Sequence, residues 1–589
     1  MCEQINQVDK MRHSLSHVLA AAVQELYPTT TFGIGPAIEN GFYYDIDFGG
    51  DKVSDADLPK IEKKMRGIIA RGAKMQEREA TRDEALSWAK ENGQRLKTEL
   101  IAELADGETI TFYDMVAPDG TVIFTDLCKG PHVEDLKEIG AFKLSRVAGA
   151  YWRGDEKREM LTRIYGLAFE MEDELAEYLK RQEEAKARDH RKLGKELELY
   201  CFSDLVGAGL PMFTQRGTIL RDMLANYSLS LRQRAGFGRV WTPHITKMDL
   251  YKTSGHYAKF GDELFLVKSQ VNGEEFALKP MNCPHHTQIF ASKPRTYKEM
   301  PVRMMEPTTD YRDEKSGELG GLSRVRSLTQ DDSHVFCRKE QIKDEIKNLV
   351  QIVQELYKTV GMSKLRARLS YRNDEDKYLG DKSLWEMAQA KIKEAAIENE
   401  LDFFEMEGEA AFYGPKIDFM AEDAIGREHQ VATIQLDFVQ PERFGLEFVN
   451  EKGEKEMPVM IHHATLGSIE RFMSVFIEHT AGWLPLWCAP EAVRVITVND
   501  GAVEYAKEVE KVLQGVVLEK PLANNALRYE TDYSDDSLGK KIKRATELKI
   551  PVVLIVGPKD AAEKVVSVRT RDGEEKVALD KLAEWLKEQ

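Results

Sequence analysis

The sequence predicts a multidomain protein that combines α+β and α/β domains. Three observations support this prediction. A chain of 589 residues is too long for a single hydrophobic core. Apolar strands separated by polar turns fill its central part, and strands alternate with helices towards the C-terminus. We therefore expect an α+β domain over 1–166, a linker helix over 167–199, an antiparallel sheet with helices over 200–488 and a doubly wound α/β domain over 489–589.

The N-terminal domain is predicted from mixed helix and strand patterns. HSLSHVLAAAVQELY has the spacing of an amphipathic helix, whereas GFYYDIDF and TVIFTDL are typical of strands. The later stretch LAFEMEDELAEYLKRQEEAKARDHRKLGKELEL is dense in charge and has no interior proline. It indicates a long, solvated helix that links two domains, although a helix on the surface of one domain is the alternative.

Two strand arrangements are predicted for the rest of the chain. PVRMME, ATIQLDFV and MPVMIHHATLG are apolar strands between polar turns, which is typical of an antiparallel sheet with helices packed on it. After Cys488, the strand VRVITV, a helix from Val503 and the strand PVVLIVG alternate. This alternation predicts a small, mostly parallel sheet with helices on both faces.

Composition excludes some classes of function and leaves others open. The 83 basic and 100 acidic side chains give a net charge of -17, which argues against a general polyanion-binding protein but not against a local basic surface. No run of about 18 uncharged apolar residues occurs, so we expect no membrane span. The N-terminus lacks the apolar core of a signal peptide, which predicts a cytoplasmic protein. Six scattered cysteines do not resemble a disulfide framework.

Two pairs of nitrogen and sulfur groups mark the N-terminal domain. His13 and His17 lie four residues apart on one predicted helix face, and Cys128 and His132 have the same separation beside a Gly-Pro turn. Four such groups suit a tetrahedral zinc site. They equally suit a metal-free site that positions a water and a substrate, and the spacing alone leaves both readings open.

A second set of reactive side chains is spread over the central domain. Cys283 in KPMNCPHH, His334 in TQDDSH and His462 in VMIHHATLG come from separate segments, and spacing alone does not bring them together. Arg312 in TTDYRDEKSG and Arg471 in GSIERF could each clamp triphosphate oxygens through two parallel hydrogen bonds. Surface salt bridges are the alternative for both arginines.

These motifs, taken in order, resemble one known family. The succession HSLSH, TDLCKGPH, AYWRGD, KPMNCP, YRDEKSGELGGLSRVRSLTQDDSH, AFYGPKIDF, TIQLDF, HHATLGSIERF and SVRTRDG is similar to that of the threonyl-tRNA synthetases over nearly the whole chain. The resemblance implies a homodimer with a class II synthetase core, an antiparallel sheet flanked by helices, over 200–488. It also implies an α+β editing domain over 1–166 and an anticodon-binding α/β domain over 489–589.

The implied activity is ATP-dependent ligation of L-threonine to tRNA(Thr) through threonyl-adenylate, with hydrolytic editing of mischarged seryl-tRNA(Thr). Two alternatives are an RNA-binding regulator that has lost ligation and a ligase without effective editing. By the resemblance, Arg312 binds the α-phosphate of ATP and Arg471 its γ-phosphate, with Mg²⁺ bridging the phosphates. The resemblance also implies an amino-acid pocket lined by Gln330, Asp332, Tyr413 and Gln435. Arg324 would help to bind substrate, and Lys416 would lie close by.

The resemblance also assigns the cysteine and histidines of the central domain. The family's zinc ligands correspond to Cys283, His334 and His462, and three ligands leave one position open for substrate. Threonine can offer zinc its amine and its hydroxyl, whereas valine has no hydroxyl. Serine has both groups and lacks only a methyl, a difference that binding alone separates poorly.

A second, hydrolytic site is therefore expected. The family's editing residues correspond to His13, His17, Cys128, His132, Asp126 and Lys97, and the resemblance implies a site without metal. In the C-terminal domain, the candidate anticodon contacts are Arg569, Lys540 and Lys543. For the segment GKKIKR, which contains both lysines, a solvated helix face is the alternative.

The sequence departs from the family pattern in three places. It begins almost directly at HSLSH, without the small ubiquitin-like domain that usually comes first, although every named catalytic group is present. PHH replaces PGH and HHA replaces HRA, so His285 and His463 are extra imidazoles beside proposed ligands. The strand before Arg312 lacks the usual aromatic residue. Packing or surface positions are expected for the cysteines and histidines without an assigned role: Cys2, Cys201, Cys337, Cys488, His190, His244, His256 and His429.

Overall fold

A computed structural model describes residues 6–105, 107–375 and 377–589. The chain divides between Glu183 and Glu184 into two compact units. Cys2 lies outside the described residues. In the ranges that are described, no helix has both the length and the apolar character needed to cross a lipid bilayer.

The first unit is an α+β domain. Its helix α1 begins after Asn6, whose side chain accepts the N–H of Asp9, and its apolar residues pack into the main core of the unit. Among the described residues, β1, β3, β8 and β7 form an antiparallel sheet with β2 on β3, and β4, β5 and β6 form a second sheet. The elements are α1 (Gln7–Leu26), β1 (Thr31–Phe32), β2 (Ala37–Ile38), β3 (Gly41–Asp47), α2 (Leu58–Ala70), β4 (Lys74–Ala80), α3 (Arg82–Glu91), α4 (Arg95–Glu103), β5 (Ile110–Val116), β6 (Val122–Leu127), β7 (Ala141–Tyr151) and β8 (Met160–Phe169).

The single linker helix predicted over 167–199 is wrong. The range contains the end of β8 and two helices, α5 (Glu172–Arg188) and α6 (His190–Glu196). Asp189 separates the helices because its backbone is not helical and its carboxylate accepts the N–H of Arg191 at 2.8 Å, as an N-cap does. An aspartate inside a charged run gives no sign of this role in the sequence. The domain boundaries themselves stay predictions.

The second unit begins with an antiparallel sheet flanked by helices, as predicted. Within the described residues the strand order is β11-β15-β16-β23-β20-β19-β17-β18. Five neighbouring pairs are antiparallel, and β11–β15 and β17–β18 at the two ends are parallel. Helices α7, α11 and α14 pack on this sheet.

The elements of this part are β9 (Tyr200–Cys201), β10 (Met212–Phe213), α7 (Gln215–Arg234), β11 (Gly238–Arg239), β12 (Ile245–Lys247), α8 (Met248–Ser254), α9 (His256–Phe260), β13 (Leu266–Lys268), β14 (Glu275–Leu278), α10 (Cys283–Ala291), β15 (Val302–Tyr311), β16 (Ser327–Cys337), α11 (Ile342–Thr359), β17 (Leu365–Tyr371), α12 (Lys382–Glu398), β18 (Phe403–Glu407), β19 (Lys416–Glu422), β20 (Glu428–Asp437), α13 (Val439–Arg443), β21 (Phe448–Val449), β22 (Lys455–Glu456), β23 (Val459–Ser468) and α14 (Ile469–His479).

Register across the sheet places functional side chains in rows. His334 on β16 pairs with His462 on β23, and His462 pairs with Gln435 on β20. Directly paired residues point to the same face of a sheet, so these three side chains share one face. Gln330 and Asp332 lie at two-residue steps from His334 on the same strand and therefore share that face too.

The C-terminal part is wound with helices on both faces, but its sheet is mixed. The order in the described residues is β27-β24-β28-β29-β30. The first three strands are parallel to one another, whereas β29 is antiparallel to both of its neighbours, β28 and β30. The prediction of a mostly parallel sheet missed two features: β29 returns antiparallel to β28, and the hairpin in SVRTRDG then adds β30 antiparallel to β29. The elements are β24 (Val493–Thr497), α15 (Val503–Gln514), β25 (Val517–Leu518), β26 (Asn525–Ala526), β27 (Tyr529–Asp532), α16 (Leu538–Glu547), β28 (Val552–Val556), α17 (Pro558–Glu563), β29 (Val565–Arg569), β30 (Glu574–Ala578) and α18 (Leu582–Glu588).

Candidate functional site

Three side chains from separate elements form a buried donor group in the second unit. Cys283 begins helix α10, His334 lies on β16 and His462 lies on β23. One donor atom from each lies within 4.8 Å of the others. His334 Nε2 and His462 Nδ1 are 3.1 Å apart, close to the separation of about 3.3 Å expected for two nitrogens on a tetrahedral zinc ion. A cysteine and two histidines at these distances fit zinc.

Side chains behind the donor group orient both of its imidazoles. His462 Nε2 lies 2.8 Å from a carboxylate oxygen of Asp437. His334 Nδ1 lies 2.8 Å from His286 Nδ1, and His286 Nε2 lies 3.2 Å from Glu306. These contacts direct the other ring nitrogen of His334 and of His462 towards the centre of the group, as such partners do at metal sites.

Burial sets the protonation of this group. It raises the pKa of the Cys283 thiol well above its ordinary value and lowers the pKa of His334 well below it. His334 is therefore neutral and can offer a lone pair. The thiol proton would have to leave when a metal binds, because the thiolate is the form that ligates.

The extra imidazoles do not join this group. His463 pairs with Ser333, and its Nδ1 lies 3.1 Å from the Ser333 hydroxyl. The side chain of His285 is buried, and neither of its ring nitrogens has a hydrogen-bond partner among the described residues. Of the two histidines in PHH, the second, His286, supports the site by contacting His334.

A cavity of about 150 Å³ adjoins the donor group. Gln330, Asp332, Tyr413 and Gln435 line it, together with Arg312. The Tyr413 hydroxyl donates to Gln435, and the Tyr413 ring stacks on His462 with centroids 4.8 Å apart. The cavity is small and polar, which suits a small amino acid.

A larger cavity of about 710 Å³ shares part of its wall with the small one. Arg312, Arg324 and Arg471 all line it. Arg471 lies in the first turn of α14, where the Ser468 hydroxyl accepts its N–H at 3.2 Å. The residues common to both cavities are Arg312, Gln330, Thr433, Gln435 and Ala464.

The arginines of the large cavity differ in their pairing. In the described part of the chain, no carboxylate lies within 4.0 Å of the guanidinium of Arg312 or Arg471. Arg324 contacts Glu314 at 2.7 Å and Glu318 at 2.8 Å. Two cations without a protein counter-ion, facing one cavity, can bind a polyanion. Lys416 lies outside both cavity walls, with its ammonium 3.0 Å from Asp418.

The first unit holds the second group of reactive side chains. Donor atoms of His13, His17, Cys128 and His132 all lie within 4.8 Å of one another. Helix α1 supplies both members of HSLSH one turn apart, and β6 ends immediately before Cys128. The Cys128 sulfur lies 3.3 Å from both His13 Nε2 and His132 Nε2.

An ion pair lies beside this group. The Lys97 ammonium contacts Asp126 at 2.6 Å, and His17 Nε2 is 3.9 Å from the same carboxylate. The Tyr44 hydroxyl donates to Asp126 and accepts from Lys97 at 3.2 Å. Tyr44 was not predicted as a site residue, although it stands in the strand pattern GFYYDIDF. The site therefore has a second layer that spacing within HSLSH and CKGPH does not reveal.

Burial keeps this site uncharged at its centre. It lowers the pKa of His13, His17 and His132, and it raises that of the Cys128 thiol to about 12. Cys128 is therefore a protonated thiol rather than a nucleophilic thiolate. The imidazoles are neutral and can accept a proton from water.

Further residues close to the donor group of the second unit were not assigned from the sequence. His256 Nε2 lies 3.7 Å from the Cys283 sulfur. Lys279 is fully buried and donates to Thr242, Asn282 and Thr308. Lys279 stands in KPMNCPHH, the motif that identified Cys283, but a lysine there gives no sequence signal of burial.

The three candidate anticodon residues lie at the surface. Lys540 and Lys543 on α16 contact Asp536 at 3.5 Å and Glu547 at 3.7 Å, and Arg569 on β29 contacts Glu574 at 3.4 Å. Between the two lysines, Lys541 is buried and bonds to Thr497 and to the Asp532 carbonyl. The basic segment is thus only partly a solvated face.

Domain families match three segments of the chain. They are the tRNA synthetase class II core domain (G, H, P, S and T) over 265–480, the anticodon binding domain over 492–589, and the threonyl and alanyl tRNA synthetase second additional domain over 110–165. The antiparallel sheet, its arginine-lined cavity and the core-domain match define a class II aminoacyl-tRNA synthetase.

Whole-chain relatives narrow this class. The chain is 48% identical over 574 residues to the threonine–tRNA ligase of Porphyromonas gingivalis, covering 97% of this chain and 85% of that protein. It is 46% identical over 573 residues to that of Thermus thermophilus, covering 95% and 85%. The chain belongs to the threonine–tRNA ligase family, as its motifs predicted.

Solved structures agree with this placement. The RNA binding domain of threonyl-tRNA synthetase from Cryptosporidium parvum is similar with a TM-score of 0.62 and 36% identity, covering 68% of this chain and 98% of that chain. A prolyl-tRNA synthetase of Giardia lamblia, at 17% identity and a TM-score of 0.54, shares the fold. Together with the family matches, these similarities confirm the class II core and the editing-associated and anticodon-binding domains.

Proposed function

We propose that this protein activates L-threonine with ATP and transfers it to tRNA(Thr). One observation carries the proposal: the small cavity beside the cysteine and histidine group and the large arginine-lined cavity share a wall. An amino acid held in the first therefore presents its carboxylate to a triphosphate held in the second. Zinc held by Cys283, His334 and His462 would supply a Lewis acid that binds the amine and hydroxyl of threonine.

The chain's own residues act on charge and orientation. The guanidinium groups of Arg312 and Arg471 bind the phosphates of ATP, which enters with Mg²⁺. They stabilise the charge that grows as the carboxylate attacks the α-phosphate and pyrophosphate leaves. Holding both substrates across one wall also lowers the entropic part of the barrier. Arg324 joins them if it exchanges its two carboxylate partners for phosphate.

Selection of the amino acid falls to the small cavity. Asp332, Gln330 and the Tyr413–Gln435 pair place acceptors and donors around the substrate. Valine would leave these polar groups and the metal without the hydroxyl they engage, which a polar site rejects far more strongly than an apolar one. Lys416 remains a candidate for contact with the substrate only if the end of the strand that carries it moves.

We propose hydrolysis of mischarged seryl-tRNA(Thr) for the group in the first unit, without a metal. A neutral imidazole among His13, His17 and His132 accepts a proton from water as the water attacks the ester, and it returns the proton to the tRNA hydroxyl that leaves as serine is released. The ammonium of Lys97, fixed by Asp126, stabilises the oxyanion that forms. In the C-terminal domain, Arg569, Lys540 and Lys543 are the proposed contacts to the anticodon.

The oligomeric state and the cellular location of the protein remain proposals. The first is a homodimer, which sedimentation of the protein at micromolar concentration tests; a single monomeric species would contradict it. The second is a cytoplasmic location, which fractionation of cells that express the protein tests; recovery with the membranes would contradict it.

The direct test of the activity is ATP–pyrophosphate exchange with threonine, serine and valine in the presence of zinc. We expect strong exchange with threonine, weaker exchange with serine and none with valine. Cys283→Ser should abolish the threonine-dependent exchange. Folded wild-type protein without any exchange would contradict ligation, and full activity of Cys283→Ser in zinc-free buffer would contradict the role of zinc.

A further inference from the structure

His190 is the first residue of helix α6 and contacts two other parts of the second unit. Its Nδ1 lies 2.7 Å from a carboxylate oxygen of Glu478, and its backbone N–H donates to the same oxygen at 3.1 Å. On the other side of the ring, Nε2 lies 3.1 Å from the backbone nitrogen of Leu322. The side chain is buried.

These contacts fix the tautomer of the ring. The N–H of Leu322 can only donate, so His190 Nε2 is the acceptor and carries no proton. Nδ1 then carries the proton and donates to Glu478. Glu478 is held in turn, since its other oxygen accepts from Arg427 at 2.7 Å. Every polar atom of the imidazole has a partner of the correct kind.

The loop before Leu322 lies close against the ring. Gly321 has φ +60, and a Cβ at this position would lie 2.4 Å from His190 Nε2. Only glycine fits such a conformation at that distance. Leu322 itself is fully buried, and its N–H has the His190 ring as its hydrogen-bond partner.

The three residues together could suggest a metal, because donor atoms of Asp189, His190 and Glu478 lie within 4.8 Å. Their hydrogen bonds argue against this. The lone pair of His190 Nε2 is taken by Leu322, and the Asp189 carboxylate accepts the backbone N–H and the guanidinium of Arg191. No lone pair of the imidazole is left for an ion.

The two contacts of His190 lie in two segments that both contribute to the lining of the large cavity. Leu322 belongs to the connection between β15 and β16, two residues before Arg324. Glu478 is near the end of α14, the helix whose first turn carries Arg471. One imidazole therefore joins the loop of one cavity arginine to the helix of another.

We propose that His190 is a positioning residue for ATP-dependent activation: it holds the loop that carries Arg324 in register with the helix that carries Arg471. The inference rests on the proposed ligase function, because the two arginines matter only if ATP occupies the cavity. Without the acceptor at Nε2, the buried N–H of Leu322 has no partner, and the loop must shift to find one. This shift of the loop would weaken ATP binding and slow the activation step.

Two substitutions separate the two contacts. In His190→Asn, the side-chain amide can still donate to Glu478, but it is too short to accept from Leu322. In His190→Gln, the amide oxygen lies at the distance of Nε2 and can accept from Leu322. We expect His190→Asn to raise the KM for ATP in pyrophosphate exchange by roughly tenfold. His190→Gln should restore it to within about threefold of wild type.

The matched control is His429→Asn. His429 Nε2 contacts Asp423 at 3.0 Å, and Asp423 bonds to Arg427, so this histidine belongs to the same network without touching the loop. The His429→Asn substitution should leave the KM for ATP unchanged. For all variants, thermal unfolding and deacylation of preformed seryl-tRNA report whether the chain is folded; neither should change in step with the KM.

The outcomes separate the hypotheses. A wild-type protein with no exchange would refute the ligase function on which the inference rests. An active wild type with equal KM values for ATP in His190→Asn and His429→Asn would refute the role of His190. That role would also be refuted if His190→Asn lowered deacylation and unfolding temperature as much as exchange, or if His190→Gln were no better than His190→Asn.

Discussion

Replacing Asp437 by asparagine should weaken zinc binding, although the two side chains have nearly the same shape. Oδ1 of Asp437 accepts the backbone N–H groups of Val439 and Gln440 at 2.7 and 2.9 Å. Oδ2 faces His462 Nε2 at 2.8 Å and accepts the side-chain amide of Gln440 at 2.9 Å. Since all of these neighbours donate, the NH₂ group of the asparagine meets donors whichever way the amide is turned.

The size of the effect follows from the position of His462. Loss of a partner behind a metal ligand typically lowers metal affinity by about 10- to 100-fold. This corresponds to about 1.4 to 2.7 kcal/mol. Competition of the zinc-loaded protein with a chelator of known affinity measures the change, and threonine-dependent exchange at limiting zinc should fall in parallel.

Asp423→Asn provides a closely matched control. Oδ1 of Asp423 accepts the backbone N–H groups of Ile425 and Arg427 at 3.0 and 2.9 Å, and its Oδ2 lies 3.0 Å from His429 Nε2. Asp423 therefore has the same kinds of hydrogen-bond partner as Asp437, but His429 does not belong to the cysteine and histidine group. Zinc affinity of folded Asp437→Asn equal to that of Asp423→Asn would refute the reasoning.

Three other predictions concern the first unit. Metal analysis should find one zinc per chain in wild type and in Cys128→Ser, and almost none in Cys283→Ser; two per wild-type chain would contradict a metal-free editing site. Tyr44→Phe should slow deacylation of seryl-tRNA by roughly tenfold and leave exchange unchanged, because only Asp126 and Lys97 lose a partner. Burial lowers the pKa of His13 and His17, so both rings stay neutral as the pH falls through about 6.5, the ordinary histidine value. Deacylation should therefore persist to about pH 6, and a rate that halves near pH 6.5 would count against a buried imidazole base.

The sequence predicts reactive residues better than it predicts their supports. Four-residue spacing was enough to place His13 and His17 on one helix face. Cys283, His334 and His462 needed the family resemblance, because strand register brings them together and register cannot be read from spacing. His286 and Tyr44 act through a ligand or an ion pair, and nothing in their local sequence distinguishes them from core residues.

The same limit applies to the fold. Periodicity predicted the class of each domain, since it reports which faces are buried. It did not predict the break at Asp189, where one side chain caps a new helix, or the two antiparallel pairings of β29 that make the C-terminal sheet mixed. Lys416 was assigned by motif, but a lysine that begins a strand can turn to a carboxylate of the same strand, and here it lies beside Asp418.

The wall shared by the two cavities gives binding a direction. If the amine and hydroxyl of an amino acid engage the cysteine and histidine group, its carboxylate can face the wall of Arg312, Gln330 and Gln435 that the large cavity shares. A molecule bound the other way round would present no carboxylate to the nucleotide. An amino alcohol with the same amine and hydroxyl but no carboxylate should therefore bind in the small cavity without reacting with ATP. The orientation of a bound molecule thus decides whether it can react.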